Sequence, residues 1–272
     1  MEQKFLLKKA REVRRGICRM VNRAQQGHIG GALSETDYLV ALYYHIMKVD
    51  PARPDWKDRD RFILSKGHCV EPLYYILADK GFFPREMLDT FSLPGSPLIG
   101  HTNREVPGIE MNTGALGHGL SGACGMALAA QKDQADWKVF CLLGDGELAE
   151  GSVWEAAMFA GHYHLDRLYL AIDRNRLQIS GPTEELMSQE PLAQRFQSFG
   201  FDVAECDGND SAAIIAALEA SFHRPGKPHL LILNTLKGKG VSFMEGQTSW
   251  HHGRITQEEL ERALYDLREE ED

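Results

Sequence analysis

Asp145 and Asn175 are the pair of side chains whose types and spacing first point to chemistry. Asp145 lies in Gly144-Asp145-Gly146, directly after the apolar run 139–143, and Asn175 ends Asp173-Arg174-Asn175, directly after the apolar run 168–172. Both runs read as buried strands, and residues from about 150 to 163 between them read as a helix. The stretch is one βαβ unit, whose repeat matches the 30 residues separating Asp145 from Asn175. Parallel strands bring their carboxyl ends to one sheet edge, where open α/β sheets bind ligands. A carboxylate, an amide oxygen and backbone carbonyls there form a hard-oxygen set that suits Mg²⁺, which commonly completes its octahedron with phosphate oxygens and water. Gly144 and Gly146 let the backbone come close to a diphosphate. A Gly-Asp-Gly turn alone is weak, since an ordinary strand-turn-helix reads the same way. The paired strands and the terminal Asn strengthen it.

The elements that must hold these groups follow from the rest of the chain. Residues 4–25 read as an amphipathic helix, with Phe5, Ile17, Met20 and Val21 apolar among Lys and Arg. It ends at Gln26-Gly27-His28-Ile29-Gly30-Gly31, after which Ser34 is expected to cap a second helix over 35–47. Residues 60–64 read as a short strand running into Ser65-Lys66-Gly67-His68. Asn112 to Leu120 is a Gly-rich loop entering a helix of small residues at 122–130, and such a helix start suits an anion. After a polar loop at 181–189 come a helix, a strand at 200–205, a helix at 211–222 capped by Asp210, and a strand at 229–234. Lys237-Gly238-Lys239-Gly240 reads as a mobile basic loop, equally a plain flexible loop or a diphosphate contact. Thr256 and Glu259 form a capping box before a final helix and an acidic tail. The alternation of strand and helix predicts an α/β fold with a doubly wound, mainly parallel sheet, as a single domain over 1–272.

Composition narrows the partners. The chain has 272 residues, 43% hydrophobic and 25% charged, with a formal net charge of −9. That balance argues against nucleic acid as a main partner and leaves room for a local anion site. Five scattered Cys with no CxxC suggest reduced thiols and a cytoplasmic protein. No stretch is long and apolar enough to cross a membrane, and Phe5-Leu6-Leu7 is too short for a signal-peptide core. The adjacent His251 and His252 invite zinc, but no third soft ligand stands nearby. His45, His162, His164, His223 and His229 read as structural or solvent-facing.

The stretch Gly144-Asp145-Gly146-Glu147-Leu148-Ala149-Glu150-Gly151, ending in Asp173-Arg174-Asn175-Arg176-Leu177, resembles the thiamine diphosphate signature in its transketolase form. Gln26-Gly27-His28-Ile29-Gly30-Gly31, Asp60-Arg61-Phe62 through Ser65, Gly67 and His68, Gly100-His101, Asn112 to Leu120, and His252 before Gly253 resemble further motifs of that family, in the same order. The resemblance spans roughly residues 5–265. Ile29 in place of Pro, and the second Gly, are closer to the two-subunit members than to the single-chain ones.

The resemblance implies that Asp145, Asn175 and the main-chain oxygen of Leu177 hold Mg²⁺, or another divalent cation such as Ca²⁺ or Mn²⁺. It sets Gly114, Leu116, Gly146, Glu150, Asn175, His68 and His252 against thiamine diphosphate, and makes Glu150 and Glu155 links between two active sites. His28, His68 and His101 would orient a ketose donor and help move protons, and His252 would approach the diphosphate and a sugar hydroxyl. His118, His251 and the Lys237–Lys239 loop receive no role. The implied activity is transfer of a two-carbon ketol unit from a ketose phosphate, or a similar anionic sugar, to an aldose. The family's pyrimidine-binding and C-terminal domains have no counterpart in this sequence, so a second subunit carrying them is implied, in an α2β2 assembly. A deoxyxylulose-phosphate synthase, a 2-oxo acid dehydrogenase component and a cofactor-binding module without turnover stay open as alternatives.

Overall fold

Strand alternation decides the architecture. A computed structural model describes residues 2–269 of the chain; the last residues of the acidic tail, 270–272, lie outside them. Five strands form one sheet: β1 (Arg61–Leu64), β2 (Val139–Gly144), β3 (Leu168–Arg174), β4 (Asp202–Asp207) and β5 (His229–Asn234), in the order β1-β2-β3-β5-β4. Every pair is parallel. Successive side chains leave a strand on opposite faces, and here both faces are covered, so the central strands are apolar along their middle, with polar residues only at their ends. Phe140, Leu142, Tyr169, Ala171, Leu231 and Leu233 point into one core. Cys141, Leu143, Leu170, Ile172, Leu230 and Ile232 point into the other.

The first core is closed by α1 (Glu2–Ala24), α3 (Thr36–Ala41), α4 (Glu71–Lys80), α9 (Ser211–Ser221) and α10 (Gln257–Asp266). The second is closed by α5 (Gly119–Lys132), α6 (Gly151–His162) and α8 (Leu192–Ser198). This is the expected doubly wound sheet. Asp210 caps α9 through the backbone N–H groups of Ala212 and Ala213, and the Thr256–Glu259 capping box closes both ways. No helix among the described residues is long and apolar enough to cross a membrane. All five cysteines are free thiols.

Four expectations need correction. Ser34 does not cap a helix over 35–47. The chain is already helical from Ile29, forming α2 (Ile29–Ser34), and α3 passes into a π-turn at Leu42–Ile46. The Ser34 hydroxyl, inside α2, donates to Gly31 O and in a charge-assisted bond to the buried Asp173 Oδ2. The 181–189 loop contains a single helical turn, α7 (Thr183–Leu186). The strand placed at 200–205 pairs over Asp202–Asp207. Finally, the Lys237 loop is pinned: Lys237 is buried, and Gly238 N donates to Gly30 O.

Candidate active site

Loops leaving the ends of β1, β2, β3 and β5, with the segment preceding α2 and the loops before α5, enclose a cavity of about 290 Å³. It lies at the carboxyl edge of the sheet, the edge the βαβ reading pointed to. Asp145, Asn175 and Leu177 share its wall with His28, His68, His101, Gly114, Leu116 and Gly146. Gly114 adopts φ +127°, and a Cβ there would stand 2.2 Å from the His101 ring. Only glycine lets the imidazole lie across that turn.

The three candidate cation ligands are held by local hydrogen bonds. Asp145 Oδ1 accepts from Gly146 N at 2.8 Å, and its Oδ2 accepts from Arg176 N at 2.6 Å and from Arg174 Nη1 at 3.3 Å. Asn175 Oδ1 accepts from Leu177 N at 3.1 Å, while its amide donates to Asp173 Oδ2 at 3.0 Å. Leu177 O accepts from Lys237 Nζ at 3.1 Å, so an ammonium already stands at that carbonyl. One carboxylate, one amide and one carbonyl fit a hard cation that draws further oxygens from its ligand. Among the described residues no three His, Cys, Asp or Glu gather to form a metal cage, so a cation here depends on those ligand oxygens. Burial, reinforced by Asp173, raises the Asp145 carboxyl above its ordinary range, and a positive ligand would reverse that.

Beneath the wall is a floor of buried charge. Asp173 Oδ2 accepts from Ser34 Oγ at 2.6 Å and from Lys66 Nζ at 2.5 Å, and its Oδ1 accepts from the Thr235 hydroxyl. Burial works against its charge, but Lys66 and these hydroxyls outweigh burial and keep the carboxyl below its ordinary range. Glu147 ties three loops together: its Oε1 accepts from Ser65 Oγ at 2.5 Å and Gly117 N at 2.8 Å, and its Oε2 from Gly144 N at 3.2 Å.

Above the floor stands a rim of imidazoles with His28 at its centre. The ring of His252 is 4.5 Å from that of His28, His68 5.0 Å, His251 5.7 Å and His101 5.8 Å. Burial, then His252, His251 and His101, push the His28 pKa down to about 3. Burial and Lys237 take His251 to about 4, and burial also lowers His68 and His101. Neutral imidazoles each offer one donor and one acceptor, which suits carbonyl and hydroxyl oxygens exchanging protons.

The structure thus gathers His28, His68, His101, Gly114, Leu116, Asp145, Gly146, Asn175 and Leu177 in one cavity. His252 is exposed on the outer side of His28, and the cavity wall is formed by His251, whose Nδ1 is 3.0 Å from Lys237 Nζ. Glu150 and Glu155 are exposed and lie outside the cavity wall, Glu150 as the residue before α6. His118 is exposed too. Sequence reasoning missed Lys66, Lys237, Glu35, Glu147, Asp173 and His251. Lys66 and Lys237 could have been found from their Gly-flanked loops at strand ends, whereas Glu35 and Glu147 carry no local signal.

The chain matches the family model described as transketolase, thiamine diphosphate binding domain, over residues 8–268. It is 53% identical over 256 residues to an apulose-4-phosphate transketolase subunit of Phocaeicola vulgatus, covering 94% of this chain and 91% of that one. It is 43% identical over 270 residues to the 6-deoxy-6-sulfo-D-fructose transketolase subunit SqwG of a Clostridium species, covering 99% and 98%. Among solved structures, the transketolase of Campylobacter jejuni superposes with a TM-score of 0.91 at 34% identity, covering 96% of this chain and 42% of that longer one. The cavity, its hard-oxygen wall and these matches agree: the chain belongs to the transketolase family, whose members transfer a two-carbon ketol unit by way of thiamine diphosphate and a divalent cation, and it carries that family's thiamine diphosphate-binding domain.

Proposed function

We propose that this chain is the diphosphate-binding subunit of a two-chain transketolase, working in the cytoplasm as its free thiols suggest. The observation that carries the reading is the meeting of Asp145, Asn175 and Leu177 with the neutral imidazoles of His28, His68 and His101 in one cavity. Lys66, Lys237 and the Gly146 turn would take the diphosphate, and the three oxygens its cation. When bound, thiamine diphosphate supplies the electron sink for a two-carbon carbanion. The chain's own work is to orient and exchange protons: His28, His68 and His101 on the donor's carbonyl and hydroxyl oxygens, with His251, beside Lys237, toward the diphosphate side.

The donor and acceptor are proposed to be sugars with an anionic terminus. The names of the two relatives carry a phosphate in one case and a sulfonate in the other. The pyrimidine half of the site is assigned to a second, separate chain in an α2β2 assembly. Both relatives are named as subunits, which supports a partner, and exposed apolar side chains give it a surface. Ile179, on the cavity wall, is 67% exposed, and Met187 and Met158 are each 57% exposed. Glu150 and Glu155 lie exposed, where a partner could reach them.

The test is reconstitution. The purified chain alone is expected to show no ketol transfer, and activity is expected on adding a protein that carries the family's pyrimidine-binding domain. Robust transfer by the chain alone would end the two-chain reading, and binding without transfer in the reconstituted pair would favour a module without turnover.

A further inference from the structure

Glu35, at the junction of α2 and α3, has no exposed surface, and neither of its carboxylate oxygens accepts a hydrogen bond. Its nearest charge is Lys66, whose Nζ lies 3.0 Å from Oε2, off hydrogen-bonding alignment. That same ammonium is 2.5 Å from Asp173 Oδ2 and 3.3 Å from Gly31 O, and Lys66 lines the cavity. We infer that Glu35 is a positioning residue of the cofactor cavity: protonated, it leaves the Lys66 ammonium free to meet a diphosphate, and ionised, it draws that ammonium back into the floor. The inference rests on the transketolase reading of the cavity.

Several groups surround this carboxyl. Lys66 and Cys69 come from the loop after β1, Asp173 from β3 and Glu71 from α4, so one ammonium serves three buried carboxyls and a thiol. Asp173 has two hydroxyls and the Asn175 amide as further donors. The Glu71 carboxyl accepts the His28 N–H at 2.8 Å. Glu35 has only the Lys66 ammonium, which it shares with Asp173, and a buried carboxylate so poorly supplied with donors is the costliest of the three to ionise. The proton therefore belongs on Glu35. Burial raises its pKa to about 8, with Lys66 the main opposing influence, and burial raises Glu71 to about 7. Lys66 itself stays charged: burial opposes its charge, but the Asp173 carboxylate at 2.5 Å outweighs that.

Below the Glu35 pKa the group is neutral, and only Asp173 competes with an arriving diphosphate for Lys66. As pH rises through that pKa, a second carboxylate joins the competition and affinity falls. Binding near this pKa must then take up a proton.

Inorganic diphosphate with Mg²⁺ is the probe, since it needs only this chain's half of the site. Calorimetric titration of the full chain is expected to show Kd rising roughly tenfold from about pH 7 to about pH 9, one decade per unit of pKa change. The binding heat at about pH 8.5 should depend on buffer ionisation enthalpy, as proton uptake requires. Glu35→Gln should bind with a pH profile flatter than the wild type's. A purely structural role would shift both profiles in parallel and leave their shapes equal, and equal shapes would overturn the inference. So would a wild-type binding heat independent of buffer, a measurement that needs no variant to fold. A wild type that binds no diphosphate at any pH fails differently, overturning the cavity reading itself.

Discussion

The floor and the rim of the cavity are built on opposite principles. In the floor and the cation wall it supports, Lys66, Asp173, Glu147 and Asp145 are charged groups with little or no exposure, each fixed by two or more hydrogen bonds or ion pairs. In the rim, five histidines are half-buried or exposed and meet mainly through ring contacts. A buried charge loses much when one partner is removed, because the other is left unpaired. A half-exposed imidazole can turn to water. The floor can therefore set the position of an anion and its cation, while the rim keeps the freedom to hand protons to different sugar oxygens.

The sharpest way to break this division is at Asp145, the one carboxylate among the three candidate cation ligands. Asp145→Ala is expected to remove Mg²⁺-dependent binding of thiamine diphosphate, a loss of more than about 100-fold given that even outer-sphere partners of a metal cost 10–100-fold. Titration of the cofactor with and without Mg²⁺ reads this directly. Wild-type affinity in that variant would take the cation away from the end of β2.

A rim substitution should do the reverse. His101→Ala is expected to lower donor turnover by roughly 10²–10⁴-fold, the usual worth of a positioned acid or base, with little change in cofactor affinity. Steady-state rates in the reconstituted enzyme, set beside a cofactor titration, separate the two. Should affinity collapse while turnover per bound site holds, His101 belongs with the floor, and the division is drawn in the wrong place.

Glu147→Gln sharpens the account of the floor without touching a candidate ligand. It keeps the shape but weakens charge-assisted bonds from Ser65, Gly117 and Gly144. A loss of about 1–3 kcal/mol in unfolding free energy is expected, the scale for an impaired buried acceptor. Denaturant midpoints at constant slope measure it. An unchanged midpoint would mean that the three loops hold together without the clamp.

What was legible in the sequence divides along the same line. The rim and the cation wall were readable because their groups sit at strand ends or in Gly-rich loops, where neighbours in sequence reveal them: Asp145 after 139–143, Asn175 after 168–172, His28, His68 and His101 beside glycines. The floor was not. Ser34 looks like a helix cap until Asp173, 139 residues away, becomes its acceptor. Glu35 looks like a helix surface acid until β3 and the loop after β1 close over it. His251 and His252 are equivalent as letters, and only the reach of Lys237 turns one of them into the cavity. Strands were readable because burial on both faces leaves an unbroken apolar run. The fate of a buried polar residue depends on what packs across from it, which no local window contains.

The smallest effect expected from the comparison is its response to acid. His28 and His251 have pKa values pushed down to about 3 and 4, chiefly by burial, with His68 and His101 also lowered. Their unfolded counterparts titrate near 6.5. Between those values each of these imidazoles binds a proton in the unfolded chain and not in the folded one, so their contribution to stability falls from about pH 6.5 toward pH 4, against the opposite contribution of Glu35 and Glu71, whose raised carboxyls hold protons in the folded chain. The full slope of ~1.4 kcal/mol per pH unit per group is an upper bound, because partly exposed rings share their charge with solvent. Asp173, held below its ordinary range by Lys66 against the opposition of burial, adds acid sensitivity only below the ordinary carboxylate range. A rim variant such as His28→Asn should therefore flatten the fall in melting temperature above about pH 4.5 and leave the steeper fall below it in place. If His28→Asn left the upper limb unchanged, the imidazoles would be titrating as free surface groups, and the shared neutral state that lets the rim trade protons with a sugar would be lost with it.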